Sequence, residues 1–185
     1  MANFRTAVLT LGLGHALLCA ADHVLDGPIG VILPDDVILG KQALVEMYEG
    51  YSGGNMVAAM EVPQSEVSKY GIFHVNGSLA MGRSAVARGM VEKPAPEAAP
   101  SRMAAVGRYI LEPAIFDTLR KIPRGAGGEY QLTDAISAMI DQAELTLFPF
   151  TGRRYDCGTH AGLLAAANAR SAELAVGADP KIAAE

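Results

Sequence analysis

Two aspartates, Asp35 and Asp36, stand directly after the apolar run IGVILP (29–34). A third, Asp156, lies in GRRYDCGTH (152–160), after a second apolar stretch near 145–150. In open α/β sheets ligands bind beyond the carboxyl ends of strands. A carboxylate placed there can share a hard cation such as Mg²⁺ with substrate phosphate oxygens. Glu92 and Lys93 are adjacent in VEKP (91–94), at a strand end just before a proline. Such a pair can accept hydrogen bonds from sugar hydroxyls and neutralise a phosphate. Consecutive side chains leave opposite faces of a strand, so both meet one ligand only where the strand ends or bends. Each residue also has a purely structural reading. Aspartate caps turns and helices, Asp156 stands in an Asp-Cys-Gly of the kind found at turns, and a Lys-Pro strand end can simply be solvated.

Glycines add a second layer of signals. Gly71 in KYGI and Gly107 in VGRY interrupt apolar strands, which marks a bulge or the close approach of a ligand. RGAGGEYQLTDAI (124–136) is glycine-rich but lacks the Walker spacing, and Glu129 has the wrong sign for phosphate. Helix capping by Glu129 or Gln131 is the expectation there. His15, His23, His74 and His160 have no metal-ligand spacing, and Cys19 and Cys157 form neither a disulfide framework nor a zinc motif. No G-x-S-x-G nucleophile elbow is present.

The elements that must hold these residues alternate along the chain. RTAVLT (5–10) reads as a short strand, followed by a helix from Gly14 with Leu17, Ala20, Ala21 and Val24 on one stripe. Asp26-Gly27-Pro28 ends it. IGVILP reads as a fully buried strand, followed by a helix around 41–50 and a strand NMVAAMEV (55–62). This rhythm favours an α/β sheet with parallel strands. KYGIFHV (69–75) and AVARGMVEKP (85–94) suggest antiparallel pairing, with AAVGRYIL (104–111) as a further strand. The helix QLTDAISAMI (131–140) buries Leu132, Ala135, Ile136, Met139 and Ile140. A strand near 145–150 and an alanine-rich helix ending at about 175 complete the pattern. No repeat or linker divides residues 1–185, so one domain is expected.

Composition sets the outer limits. Half of the 185 residues are apolar and 19% are charged, which is globular rather than disordered. A net charge of −5 argues against a nucleic-acid partner. No apolar run approaches the roughly 18 residues that span a bilayer, so no membrane partner is expected. The first residues lack the pattern of a signal peptide, and a cytoplasmic protein is expected.

The order of the motifs is more specific than any one of them. GLGHA, LPDD, GGNMVAAMEV, SKYGI, VEKP, VGRYIL, GAGGEYQLTDAI and GRRYDCG follow one another as in the bacterial UTP–glucose-1-phosphate uridylyltransferases, which the chain closely resembles from about Leu11 to about Ala169. These belong to the sugar-nucleotidyltransferase superfamily. The resemblance implies a Rossmann-like mixed α/β sheet of the glycosyltransferase-A type. It implies a reaction in which the phosphate of glucose 1-phosphate attacks the α-phosphorus of UTP, giving UDP-glucose and pyrophosphate. Carried over by position, Asp35 and Asp156 would bind Mg²⁺, Glu92 would meet glucose hydroxyls, and Lys93 would meet the sugar phosphate. Gly71, Ala105 and Val106 would line the sugar pocket through backbone contacts, and Gly12 would lie against the uracil. Homo-oligomers are common in the family, and one is expected here.

The chain departs from the family in three respects, the first being Asp36 beside Asp35, which leaves the metal ligand open between the two. His160 stands after DCGT where the family usually has lysine, a feature closer to the thymidylyltransferase branch. Nothing matches the glycine-rich GxGTRxxPxTK loop that wraps the nucleotide triphosphate, nor the first strands that accompany it. The expectation is therefore a chain equivalent to the C-terminal two-thirds of the enzyme, with little or no uridylyltransferase activity alone. The alternatives are a non-catalytic sugar-phosphate-binding remnant or a glucose-1-phosphate thymidylyltransferase-like enzyme.

Overall fold

The computed structural model describes residues 11–75 and 84–177, so the strand expected at 5–10 lies outside the described residues. Nine strands are described: β1 (Ile29–Ile32), β2 (Asp36–Leu39), β3 (Asn55–Glu61), β4 (Gly71–Phe73), β5 (Ala85–Ala87), β6 (Met90–Glu92), β7 (Met103–Leu111), β8 (Leu145–Pro149) and β9 (Arg153–Asp156). The helices are α1 (Leu13–Leu18), α2 (Ala43–Glu49), α3 (Ile115–Lys121), α4 (Leu132–Ala138) and α5 (His160–Gly177).

Seven strands form one mixed sheet along the path β5-β8-β3-β7-β4-β6, with β1 also paired to β7. The fold is mixed α/β, as expected, but less parallel than the strand–helix rhythm suggests. Among the described residues only β3 and β8 pair in parallel, and the other pairings are antiparallel. AVARGMVEKP, read as one strand, is two. Arg88 and Gly89 alone separate β5 at one end of the sheet from β6 at the other. Two residues reach only about 7 Å, so the sheet must curl until its ends meet.

β3 shows why the sheet sits centrally. Val57 and Ala59 face a large cluster containing Leu17 of α1, Leu119 of α3 and Ile136 of α4. Met56 and Ala58, on the alternate positions, face Met47 of α2 and Val106 and Ile110 of β7. All four are buried, as a strand covered on both faces requires. The α4 stripe is as expected, with Leu132, Ala135, Ile136 and Met139 inside.

Two local expectations change. The first helix stops at Leu18, and a 3₁₀ turn over Ala21–His23 replaces its second half. β1 is not buried on both faces: Ile29 and Val31 pack on the main core, while Ile32 is 56% exposed. An apolar run does not by itself report how many faces are covered. No described helix is long and apolar enough to cross a membrane.

Candidate active site

The two aspartate-bearing segments are brought together by a pairing that no local pattern announced. β2 and β9 form a separate two-stranded antiparallel sheet in which Asp36 lies opposite Asp156. The Cys157 N–H donates to the Asp35 carbonyl at 2.7 Å and extends this pairing by one step. Adjacent side chains then separate as strand geometry demands. Asp36 turns inward and is 7% exposed, while Asp35 faces solvent.

Asp36 has both carboxylate oxygens engaged. Oδ2 accepts from the Gly107 N–H at 2.7 Å, and Oδ1 accepts from Arg154 Nε in a buried ion pair. A Cβ on Gly107 would sit 2.8 Å from that carboxylate and 2.6 Å from Leu33 Cβ, so this strand glycine admits a protein loop rather than a ligand. Arg154 also donates to the Tyr70 hydroxyl at 2.9 Å and lies 5.2 Å from the Tyr70 ring centre. Burial works to lower its pKa, but the Asp36 charge and the Tyr70 hydroxyl outweigh that and hold it above the ordinary value. Arg108 gives the contrast. It donates to the carbonyls of Leu33 and Asp36 rather than to a carboxylate, and burial leaves its pKa lowered despite Asp36 and Asp35 nearby.

Asp35 makes no side-chain hydrogen bond among the described residues. Its Oδ2 lies 3.6 Å from the point where a Cβ on Gly158 would stand, and Asp156 Oδ1 lies 3.1 Å from that same point. The two carboxylates therefore converge on one small volume. Among the described residues no group of three or more His, Cys, Asp or Glu could hold a metal ion. A cation here would take two protein carboxylates and complete its shell from other oxygens, which suits Mg²⁺.

The second half of the site lies at the end of β6. Lys93 has φ 45°, alone among the described non-glycine residues in the left-handed region. That backbone costs roughly 1–2 kcal/mol for an L side chain. The turn brings the two consecutive side chains to one side of the chain: Lys93 Nζ lies 3.5 Å from Glu92 Oε1. Glu92 is further held by Thr133 Oγ1, which donates to Oε2 at 3.0 Å, and the Lys93 N–H donates to the Tyr70 carbonyl. Gly71 stands opposite Glu92 in the β4–β6 register, where a Cβ would press on Thr133 and the Glu92 carboxylate.

Both halves line one cavity of about 320 Å³. Asp35, Gly71, Glu92, Lys93, Ala105 and Asp156 all border it. Its charged lining is Asp35, Asp36, Glu92, Glu129 and Asp156 against Lys69, Lys93 and Arg154. Carboxylates outnumber cationic groups, so a phosphorylated ligand would need a further cation. Tyr109, also lining, has its phenol pushed above the ordinary range by burial and by Glu92, Asp36 and Asp35.

Gly12 and Val106 are not brought into this lining. Val106 is buried in the α2-facing cluster. Gly12 has φ 92°, and its Cβ would meet Glu129 Cβ at 2.7 Å, so packing within the chain already requires glycine there. Leu13 and Glu129 line the cavity in its place. The capping expected of Glu129 or Gln131 does not occur: Gln131 is the N-cap residue of α4 without a side-chain cap bond. Instead Gln131 Nε2 reaches the Ala126 carbonyl, and α4 is fastened through Ser137, which bonds both the N–H and C=O of Met90. Sequence reasoning missed Thr133, Tyr70 and Arg154. For Thr133 a signal existed, since Thr133 and Ser137 form a polar i, i+4 pair beside the apolar stripe.

A nucleotidyl transferase family profile matches residues 2–173. The UTP–glucose-1-phosphate uridylyltransferase of Komagataeibacter xylinus is 39% identical over 154 residues, covering 81% of this chain and 53% of that protein. The enzyme of the same name from Escherichia coli (strain K12) is 40% identical over 165 residues, covering 85% of this chain and 55% of its own length. A crystal structure of UDP-glucose pyrophosphorylase complexed with UDP-glucose superposes with a TM-score of 0.79 at 36% identity, covering 89% of this chain and 64% of that one. The chain spans about half the length of these curated relatives. With the family profile running through both halves of the cavity, the chain belongs to the nucleotidyl transferase family.

Proposed function

We propose that this chain carries the metal- and sugar-phosphate-binding side of a nucleotidyl transferase that makes UDP-glucose and pyrophosphate from UTP and glucose 1-phosphate. The observation that carries this reading is the convergence of Asp35 and Asp156 in the same cavity as the Glu92–Lys93 corner. The names of the relatives supply the nucleotide and the sugar.

In this reading a phosphate oxygen of glucose 1-phosphate forms a bond to the α-phosphorus of UTP, and the bond to the pyrophosphate leaving group breaks. Positioning and charge neutralisation do the work, without a covalent enzyme intermediate. Glu92 accepts hydrogen bonds from glucose hydroxyls, in an orientation fixed by Thr133. Lys93 neutralises the sugar phosphate. Gly71 and Ala105 present backbone close to the sugar. Asp35 and Asp156 would hold Mg²⁺, which offsets phosphate charge in a cavity otherwise rich in carboxylate.

Calorimetric titration with glucose 1-phosphate, with and without MgCl₂, tests the proposal. Binding should depend on the metal, and Asp156→Asn should remove that dependence. Metal-dependent binding left unchanged by Asp156→Asn would refute the assignment.

A further inference from the structure

We infer that Gly158 is a positioning residue for the cation site, its missing side chain leaving the wedge between Asp35 and Asp156 open. The inference rests on the metal reading proposed above and adds a residue to it.

A glycine in a turn is usually explained by a left-handed backbone or by crowding against neighbouring backbone, and neither explanation fits this one. Its φ lies outside the left-handed region, and the residue is exposed. The nearest atoms to a Cβ there are Asp156 Oδ1 at 3.1 Å, Asp35 Oδ2 at 3.6 Å and Asp35 Cβ at 3.9 Å. All three belong to the two aspartate side chains; no backbone atom is among them. Gly162, one helical turn further on, is different in kind, because its Cβ would overlap the carbonyl oxygen of Asp156. The fold needs glycine at 162. At 158 only the aspartates need it.

The local bonding says what a methyl group would do. The Gly158 N–H donates to Asp156 Oδ1 at 3.1 Å, and Thr159 Oγ1 accepts from the Gly162 N–H at the start of α5. These two bonds fix the turn and aim Asp156. A Cβ at 158 would stand between the two carboxylates, pressing Asp156 Oδ1 aside by a few tenths of an ångström and occupying space that an ion bound at about 2.0–2.1 Å from each oxygen would need. Alanine would still suit the backbone, and replacing glycine at a compatible φ restricts the unfolded chain and stabilises the fold. Stability and metal affinity should therefore move in opposite directions.

The test uses the 185-residue chain with MnCl₂ as the probe. Free Mn²⁺ is read by electron paramagnetic resonance, and Tm by circular dichroism. Gly158→Ala should weaken Mn²⁺ binding roughly 10-fold or more, as loss of an outer-sphere support does, with Tm unchanged or higher. Asp156→Asn should weaken it as well. Unchanged Mn²⁺ affinity in Gly158→Ala, with Asp156→Asn impaired, would overturn the role of Gly158 and leave the metal reading standing. A fall in Tm would also overturn it, by showing that the turn itself requires glycine. Mn²⁺ binding no tighter in the wild type than in the Asp35→Asn, Asp156→Asn double variant would overturn the metal reading, and this inference with it.

Discussion

Asp36→Asn should unfold the chain far more readily than Asp35→Asn, although the two residues are neighbours and chemically identical. Asp36 and Arg154 form an ion pair whose side chains are only 10% and 14% exposed. Removing one charge from a buried pair costs about 3–5 kcal/mol, mostly because the other charge is left uncompensated. Two contacts moderate that here. Arg154 retains the Tyr70 hydroxyl and ring, worth roughly 1 kcal/mol or a little more, and the amide oxygen of the introduced asparagine can still accept from Gly107. The expected loss is therefore about 2–4 kcal/mol, a large share of the roughly 5–15 kcal/mol typical of a domain. For a chain of this size it corresponds to a Tm lower by roughly 4–16 °C. Asp35→Asn removes an exposed carboxylate without a hydrogen-bond partner among the described residues and should stay within about 0.5 kcal/mol. Urea denaturation of both variants, alongside an Asp36→Asn, Arg154→Met double variant, measures the terms separately. The double variant should recover part of the loss, because the stranded guanidinium is gone. A loss below about 1 kcal/mol for Asp36→Asn, or no recovery in the double variant, would refute the ion-pair argument.

Two further outcomes follow from the sugar side. Thr133→Val keeps the buried shape but removes the hydrogen bond that orients Glu92. Glucose 1-phosphate binding should weaken by about 1 kcal/mol, roughly fivefold, with Tm little changed, and calorimetry that finds equal affinity would remove Thr133 from the positioning of Glu92. Lys93→Gly and Lys93→Ala both delete the ammonium, but only glycine relaxes the left-handed backbone. The glycine variant should be more stable than the alanine variant by about 1 kcal/mol in urea denaturation, and the reverse order would exclude strain at this corner.

The features legible in the sequence were those written in local repeats or in the order of motifs. The α4 stripe emerges as read, because helical neighbours recur every three or four residues and burial follows them. β3 and β8 likewise fall on their apolar runs. A strand end or bend at VEKP was the condition for the Glu92 and Lys93 side chains to come together, and φ at Lys93 supplies that bend. Asp35, Gly71, Ala105 and Asp156 join that pair in one cavity.

What tertiary structure alone decided is which of two adjacent aspartates faces solvent and which becomes a strut. Asp36 is claimed by Gly107 and Arg154, 71 and 118 positions away, and no local period encodes partners at those separations. The same holds for the β2–β9 pairing, the open face of β1 and the packing that places Gly12 against Glu129 and Val106 against α2. Local pattern sets which residues turn inward on each element. Which elements meet, and hence which carboxylate is left unpaired at the cavity, is set only when the sheet curls and its loops close on one another.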